Sequence, residues 1–507
     1  MYRYSIFVLL LVAFAIPAHA NNIQISNISL TGQNTTSNFT MVEFDISWEH
    51  SWRDNGNWDA AWLFIKWSTD NGYTWKHASL NATAGNHTAP SGSTLVPAAD
   101  STGIFIHRSA AGSGTVNWTN VQVRWDYGNN YVADNAVVLV KVFGTEMVYI
   151  PTESFSLGDG TTSLIAGQFE AGNSGDPFQI TSEGALTLGG TAVTNLSNHD
   201  RVGMVGLDDY YYTVTQSLPA AYPKGYSAFY VMKYELTQEQ YKDFLNTLTR
   251  TQQTARVGTD ISGTAITNRF VMTNTTTVTG RNALRCDATL SASDPITVYC
   301  DLDGDGVYDE AVDGHNIPAN YLSRDDVKAF QDWAGLRPMT ELEFEKSARG
   351  PIPPRINEWA WGDTTYIGVT SITNAGTSTE ISTATNSNCT FGGTFGPIRS
   401  GAFASASSTR NDAGASYYGV MELSGNVWDQ LVATSNSTMR SFQGAHGDGV
   451  LNSAGASDAG WPILTCRGGA WNSGANKFQR TSDRGYANTT FATRSNQAGG
   501  RGVRTAP

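Results

Sequence analysis

The chain has 507 residues, a formal net charge of −13 and 15% charged residues, with 51 Gly and 14 Trp. That length suits about two or three domains with a sizeable core, and the tryptophan content excludes a disordered chain. The acidic balance, with no Lys/Arg cluster, excludes nucleic acid and anionic membrane surfaces as partners, because phosphate binding needs concentrated positive charge.

Residues 1–20 read as an export signal. Arg3 supplies a basic start, Ile6 to Pro17 an apolar run too short to span a bilayer, and Ala18-His19-Ala20 a small-x-small cleavage site. The expected mature protein begins near Asn21, has no membrane span, and is secreted or held at the cell surface.

Residues 21–144 read as a β-sandwich. Val42, Phe44, Ile46 and Trp48 alternate with Glu43, Asp45, Ser47 and Glu49, the period of a half-buried strand. Trp62-Leu63-Phe64-Ile65 leads to Asp70-Asn71-Gly72 and then to Tyr73 and Trp75. Asn-Gly between apolar runs predicts a hairpin, because both turn residues take positive φ. Val121, Val123 and Trp125 alternate again, and Val137 to Val142 reads as a closing strand. Short strands at this spacing predict a sandwich, with a boundary near residue 145.

Beyond it, three helix starts can be read. Thr237 with Gln240, Ser323 with Asp326 and Thr340 with Glu343 each have capping-box spacing. Tyr241, Phe244, Leu245 and Leu248 share one face behind the first cap, and Val327, Phe330 and Ala334 behind the second. Gly350 ends the third.

Asp301, Asp303, Asp305 and Asp309 hold positions 1, 3, 5 and 9 of an EF-hand-like loop, with Gly306 at position 6 and the Val307 carbonyl at position 7. Position 12 is Val312, with Asp313 one place later. The loop is expected to bind structural Ca²⁺, with a solvated acidic turn as the alternative. Cys286, Cys300, Cys389 and Cys466 allow three pairings. In an oxidising compartment Cys286–Cys300 and Cys389–Cys466 are the favoured disulfides.

Several motifs follow one another along residues 145–507. They are Glu146-Met147-Val148-Tyr149-Ile150-Pro151 with Phe155-Ser156-Leu157-Gly158; Lys233-Tyr234-Glu235-Leu236-Thr237; the run from Arg337 to Gly350; and Trp359-Ala360-Trp361-Gly362. Then come Ser424-Gly425-Asn426-Val427-Trp428-Asp429, Arg467-Gly468-Gly469-Ala470-Trp471 and the closing Gly502-Val503-Arg504. In this order they resemble the formylglycine-generating enzyme family (sulfatase-modifying factors), with insertions near 160–222 and 252–316. The resemblance implies a variant of the C-type lectin fold with few helices and long loops. The expected fold class is therefore mixed and β-rich, an N-terminal β-sandwich followed by an α+β domain of that family.

The same resemblance implies a second calcium position, at the turn holding Glu422 and Asp429. Their carboxylates and the carbonyls near Gly425 and Val427 would supply hard oxygens; a turn of solvated acids is the alternative. The family's copper is held by two cysteines just after Gly-Gly-x-Trp. The matching positions are Ser473 and Phe478, and neither offers the soft thiolate that Cu(I) prefers. A related branch holds iron by three histidines, but the eight histidines here show no i, i+3/i+4 or His-x-His pair. Copper and iron are not expected.

What remains is the loop region from Trp471 to Gln497. Trp471, Asn472, Ser473, Asn476, Phe478, Arg480, Arg484 and Tyr486 mix rigid aromatics with small polar groups, as a paratope does. Arg480 and Arg484 are expected to grip acidic groups bidentately, and Phe478 and Tyr486 to stack on a sugar or peptide. The segment is also similar to the variable C-terminal segment of lectin-fold proteins diversified by retroelements, and an ordinary Asn-rich loop has the same composition. The expected function is an exported, non-catalytic recognition protein whose C-terminal loop surface binds a glycan or protein ligand. The alternatives are an oxidoreductase with a rearranged metal site, acting on a protein or thiol, and a structural subunit of a surface appendage.

Overall fold

The alternating strands of the N-terminal third build a two-layer sandwich. The structure is a computed structural model that describes residues 23–160, 165–198, 201–392, 396–405 and 407–507. The expected export signal lies outside the described residues. The N-terminal strands are β1 (Gln24–Asn34), β2 (Phe39–Arg53), β3 (Asp59–Ser68), β4 (Lys76–His77), β5 (Ser93–Pro97), β6 (Ile104–Arg108), β7 (Gly112–Trp125) and β8 (Leu139–Ile150). One layer is the sheet β1-β2-β7. In β2, Val42, Phe44, Ile46 and Trp48 are buried, while Glu43, Asp45, Ser47 and Glu49 are half-buried, as the period-two pattern requires.

The second layer does not stop at the expected boundary. Its order is β5-β6-β3-β8, continued by the strands Phe229–Met232, Gly502–Thr505 and Arg337–Pro338. Within it, β8 pairs with β3 from Asp59↔Val148 to Ser68↔Leu139, and with the next strand from Phe229↔Ile150 to Met232↔Met147. Residue 145 thus falls inside a strand that belongs to both parts of the chain.

β3 is the hinge of this architecture, with all ten residues buried. Ala61, Leu63, Ile65 and Trp67 join the sandwich core, while Ala60, Trp62 and Phe64 join the core of the C-terminal part. A strand covered on both faces reads as a continuous apolar run, which explains the pattern at Trp62–Ile65. Polar ends are satisfied across the seam: Trp62 Nε1 donates to the Ala334 carbonyl and Lys66 Nζ to that of Trp333, both at 2.8 Å. The predicted turn follows, with Asn71 at φ 59° and Gly72 at φ 88°, and β4 pairs back onto β3.

Five α-helices occur among the described residues: α1 (Gln238–Leu245), α2 (Arg250–Arg256), α3 (Arg324–Trp333), α4 (Glu341–Arg349) and α5 (Ser437–Arg440). α1, α3 and α4 start at the three predicted caps, each with both hydrogen bonds of the box. Among the described residues no helix is long and apolar enough to cross a membrane.

The expected disulfides are absent, and all four cysteines are free and buried. Cys286 sits opposite Val298, and Cys300 opposite Leu284. The two cysteines are therefore diagonal neighbours, about 7–8 Å apart, beyond the ~7 Å that a disulfide bridges. Cys389 donates to the Ser424 carbonyl at 3.3 Å, and Cys466 to that of Thr489 at 3.7 Å. The two thiols lie in separate apolar clusters.

Candidate functional site

The Arg467–Trp471 segment sits on α4 through a buried ion-pair network. Arg467 donates to Glu341 at 2.9 Å and to Glu345 at 2.8 Å. Arg349 reaches Glu345 at 3.1 Å and also pairs with Glu358. Arg484 donates to both Glu341 oxygens, at 2.8 and 2.9 Å, and to Asp208 at 2.7 Å. All of these side chains are buried. Paired in this way, charges can leave water, although each partner would be costly to bury alone. Gly469 takes φ 71°, and a Cβ there would meet Gln479 at 2.7 Å, so the Gly-Gly step is required for the segment to approach its neighbour.

Arg484 was expected on a ligand surface and is instead fully buried in this network. Arg480 is also nearly buried; it donates to the Asn357 carbonyl and lies over the Trp359 ring at 5.8 Å. Neither guanidinium is free to grip an acidic ligand. The aromatic residues are placed differently. Trp428 forms a base, with the Tyr486 ring centroid at 5.0 Å and that of Phe478 at 5.9 Å, and Phe478 meets Tyr486 edge-on at 5.0 Å. Trp471, Phe478, Tyr486 and Phe491 are half-buried around Trp428, with Cys466 and Ala470 beneath. Asn476 is exposed beside this platform, and the buried Oδ1 of Asn472 has no hydrogen-bond partner among the described residues.

Ser473 is buried and spends its hydroxyl locally, accepting from the Ala470 amide at 2.5 Å and donating to the Ala470 carbonyl at 3.1 Å. Ser473 and Phe478 therefore give a turn lock and a packed ring where a copper site needs two thiolates. Cys466 offers no substitute, because burial pushes its thiol well up and favours the protonated form. The donor set does not fit copper.

The turn from Glu422 to Asp429 is organised by two residues that sequence reasoning missed. Glu235 accepts from the Val427 amide at 3.0 Å and from Asn426 Nδ2 at 2.9 Å. Arg501 Nε donates to both Asp429 oxygens, at 2.9 and 3.0 Å, and its Nη1 donates to the Met421 carbonyl at 2.9 Å. Glu422 accepts from the Gly401 amide, and its other oxygen is buried without a partner among the described residues. Gly425 donates its amide to the Gly468 carbonyl. With Asp429 held by a guanidinium, one free carboxylate oxygen remains, and calcium needs six to eight oxygens. The residues present do not fit a calcium ion at this turn. Nothing in the local pattern singles out Arg501, which lies 72 positions from its partner.

In the 301–309 loop the structure brings Asp301, Asp303 and Asp305 together, with oxygens within 4.8 Å of one another. Asp309 turns away and accepts from the Cys300 amide at 2.9 Å and from Lys242 at 3.2 Å. Asp301 is paired with Arg285, and Val307 is exposed. Asp313 accepts from the Leu302 amide at 3.1 Å and the Glu310 amide at 2.7 Å, so it closes the loop rather than joining the acid cluster.

These pieces define a sulfatase-modifying-type domain whose charged motif residues are structural and whose half-exposed surface is aromatic. A family model described as a sulfatase-modifying factor enzyme 1-like domain matches residues 158–506, and the chain belongs to the formylglycine-generating enzyme and sulfatase-modifying factor family. No curated protein matches the chain.

Proposed function

We propose that this chain is an exported, non-catalytic binding protein that uses the Trp428 platform to hold a glycan or peptide. The observation that carries this reading is Phe478: where the family places a thiolate, this chain places a ring packed edge-on against Tyr486 and half-open to solvent. Clustered aromatics at a part-wet surface offer area for a sugar face or an apolar side chain at low entropic cost. The ligand's polar groups fall to Asn472 and Asn476 rather than to the buried arginines. A structural calcium at Asp301, Asp303 and Asp305 is supported by their oxygens lying within 4.8 Å of one another, and its binding would displace the Arg285 pairing of Asp301. Export rests on residues 1–20, and deleting them should abolish appearance of the protein outside the producing cell.

The test is a glycan and peptide array with the full mature chain, followed by titration of the best ligand. Phe478→Ala and Tyr486→Ala should each weaken binding by about tenfold or more, as truncated aromatic anchors do. Stoichiometric copper together with oxygen consumption would sink the reading in favour of an oxidoreductase.

A further inference from the structure

A second candidate site lies at the seam between the N-terminal layer and α1. A cavity of about 270 Å³ opens there, with Phe64, Phe143, Phe330 and Trp333 along one wall. Trp333 meets Phe64 at 5.0 Å and Phe143 at 4.9 Å between ring centroids. The rest of the lining carries Glu146, Glu235, Glu239 and Asp243, and among the described residues it includes no Lys, Arg or His. Two of these acids are already satisfied: Lys233 pairs with Glu146 at 2.9 Å, and Glu235 is held by the Val427 and Asn426 donors.

Glu239 and Asp243 are not satisfied in this way. Neither carboxylate has a hydrogen-bond or ion-pair partner among the described residues. They stand four apart on α1 and so share a face, an arrangement in which like charges repel. Burial pushes Asp243 up to about 6, against the pull of Lys242 and Lys141 and with the help of Glu239 and Asp309. Lys242 itself is engaged with Asp309 at 3.2 Å. The cavity therefore combines an aromatic wall with two carboxylates that, among the described residues, Lys242 and Lys141 influence electrostatically but do not contact.

We propose that this cavity binds an organic cation, an ammonium or guanidinium head on an apolar stem. The rings take the apolar stem, since Phe64 and Trp333 already carry Lys66 Nζ at 5.6 and 5.0 Å from their centroids, and Glu239 and Asp243 take the positive charge and its N–H donors. The volume falls just below the ~300 Å³ at which drug-sized pockets begin, so it suits a small amine or a single side chain. Through Gln24, Glu239 and Asn316 the cavity joins a wider cleft of about 880 Å³, which carries Asp45, Glu49, Asp309 and Glu310. A peptide presenting lysine or arginine would have room for its backbone there. The site shares no residue with the Trp428 platform, so the two readings fail independently.

The experiment is calorimetric titration of the full mature chain with n-hexylammonium, with neutral n-hexanol, and with a blocked Gly-Lys-Gly tripeptide. Hexylammonium should bind about tenfold or more tighter than hexanol. The double variant Glu239→Gln with Asp243→Asn should lose that preference while keeping its melting temperature. If the double variant unfolds, Glu239→Gln alone, at an exposed position, makes the same comparison. Tighter binding of the tripeptide than of hexylammonium identifies a peptide side chain as the source, and weaker binding a free amine. Equal binding of amine and alcohol, an amine preference unchanged in the variant, or no saturable amine binding would overturn the proposal.

Discussion

Asp429 looks like a metal ligand in sequence and behaves as an ion-pair partner in the fold. Removing it should therefore act through Arg501. Asp429→Ala leaves the buried guanidinium without its hydrogen-bonded ion-pair partner, with only Glu235 and Glu422 near it, and breaking a buried pair costs about 3–5 kcal/mol. The melting temperature should fall accordingly and by the same amount with calcium or with chelator, while Asp429→Leu combined with Arg501→Met should recover much of the loss. A second residue-scale expectation concerns Glu422, which burial pushes up to about 7 from an ordinary 4.5. The folded chain retains a proton that the unfolded chain releases, so this contribution is complete below about pH 4.5 and is lost as pH rises through about 7. Glu422→Gln should match the wild type near pH 4 and exceed it near pH 8, by on the order of 3 kcal/mol. Melting curves of both proteins across that range decide it.

At the scale of elements, helix starts were legible because capping is local. Thr237, Ser323 and Thr340 each satisfy a backbone amide three residues on, and no tertiary contact is needed to make that pattern. α2 escaped for a definite reason: Arg250–Arg256 has no apolar stripe, although Thr249 and Gln252 form a full capping box. Thr249→Ala should cost about 1 kcal/mol and should speed hydrogen exchange at the Gln253 amide, which donates to the Thr249 carbonyl. α4 shows the opposite limit. Its Glu341 and Glu345 suit a helix N-terminal half on dipole grounds, but their burial against Arg467, Arg484 and Arg349 depends on segments more than a hundred residues away and on one close by. No spacing rule predicts which arginine reaches which glutamate.

For the whole molecule, the continuous sheet matters more than the domain boundary. β8 carries hydrogen bonds to both halves, and β3 buries Trp62 and Phe64 in one core and Leu63 and Ile65 in the other. Arg504 at the chain's end reaches back to Asp100. Unfolding should therefore be a single calorimetric transition, and a 23–144 fragment should aggregate because it exposes the outer face of β3; two separate transitions would contradict this. The sequence by itself determined the family, the β-rich class, the alternating strands, the Asn71-Gly72 hairpin and three capped helices. Each of these is written in local spacing or in motif order. Tertiary structure alone decided that the expected boundary is a shared strand, that the cysteines stay free and that Arg484 is core. It also decided that Arg501 holds Asp429 and that acids on α1 face an aromatic cavity. These outcomes depend on which distant side chains meet in a low-dielectric interior, where pairing overrides the solvent exposure that composition suggests.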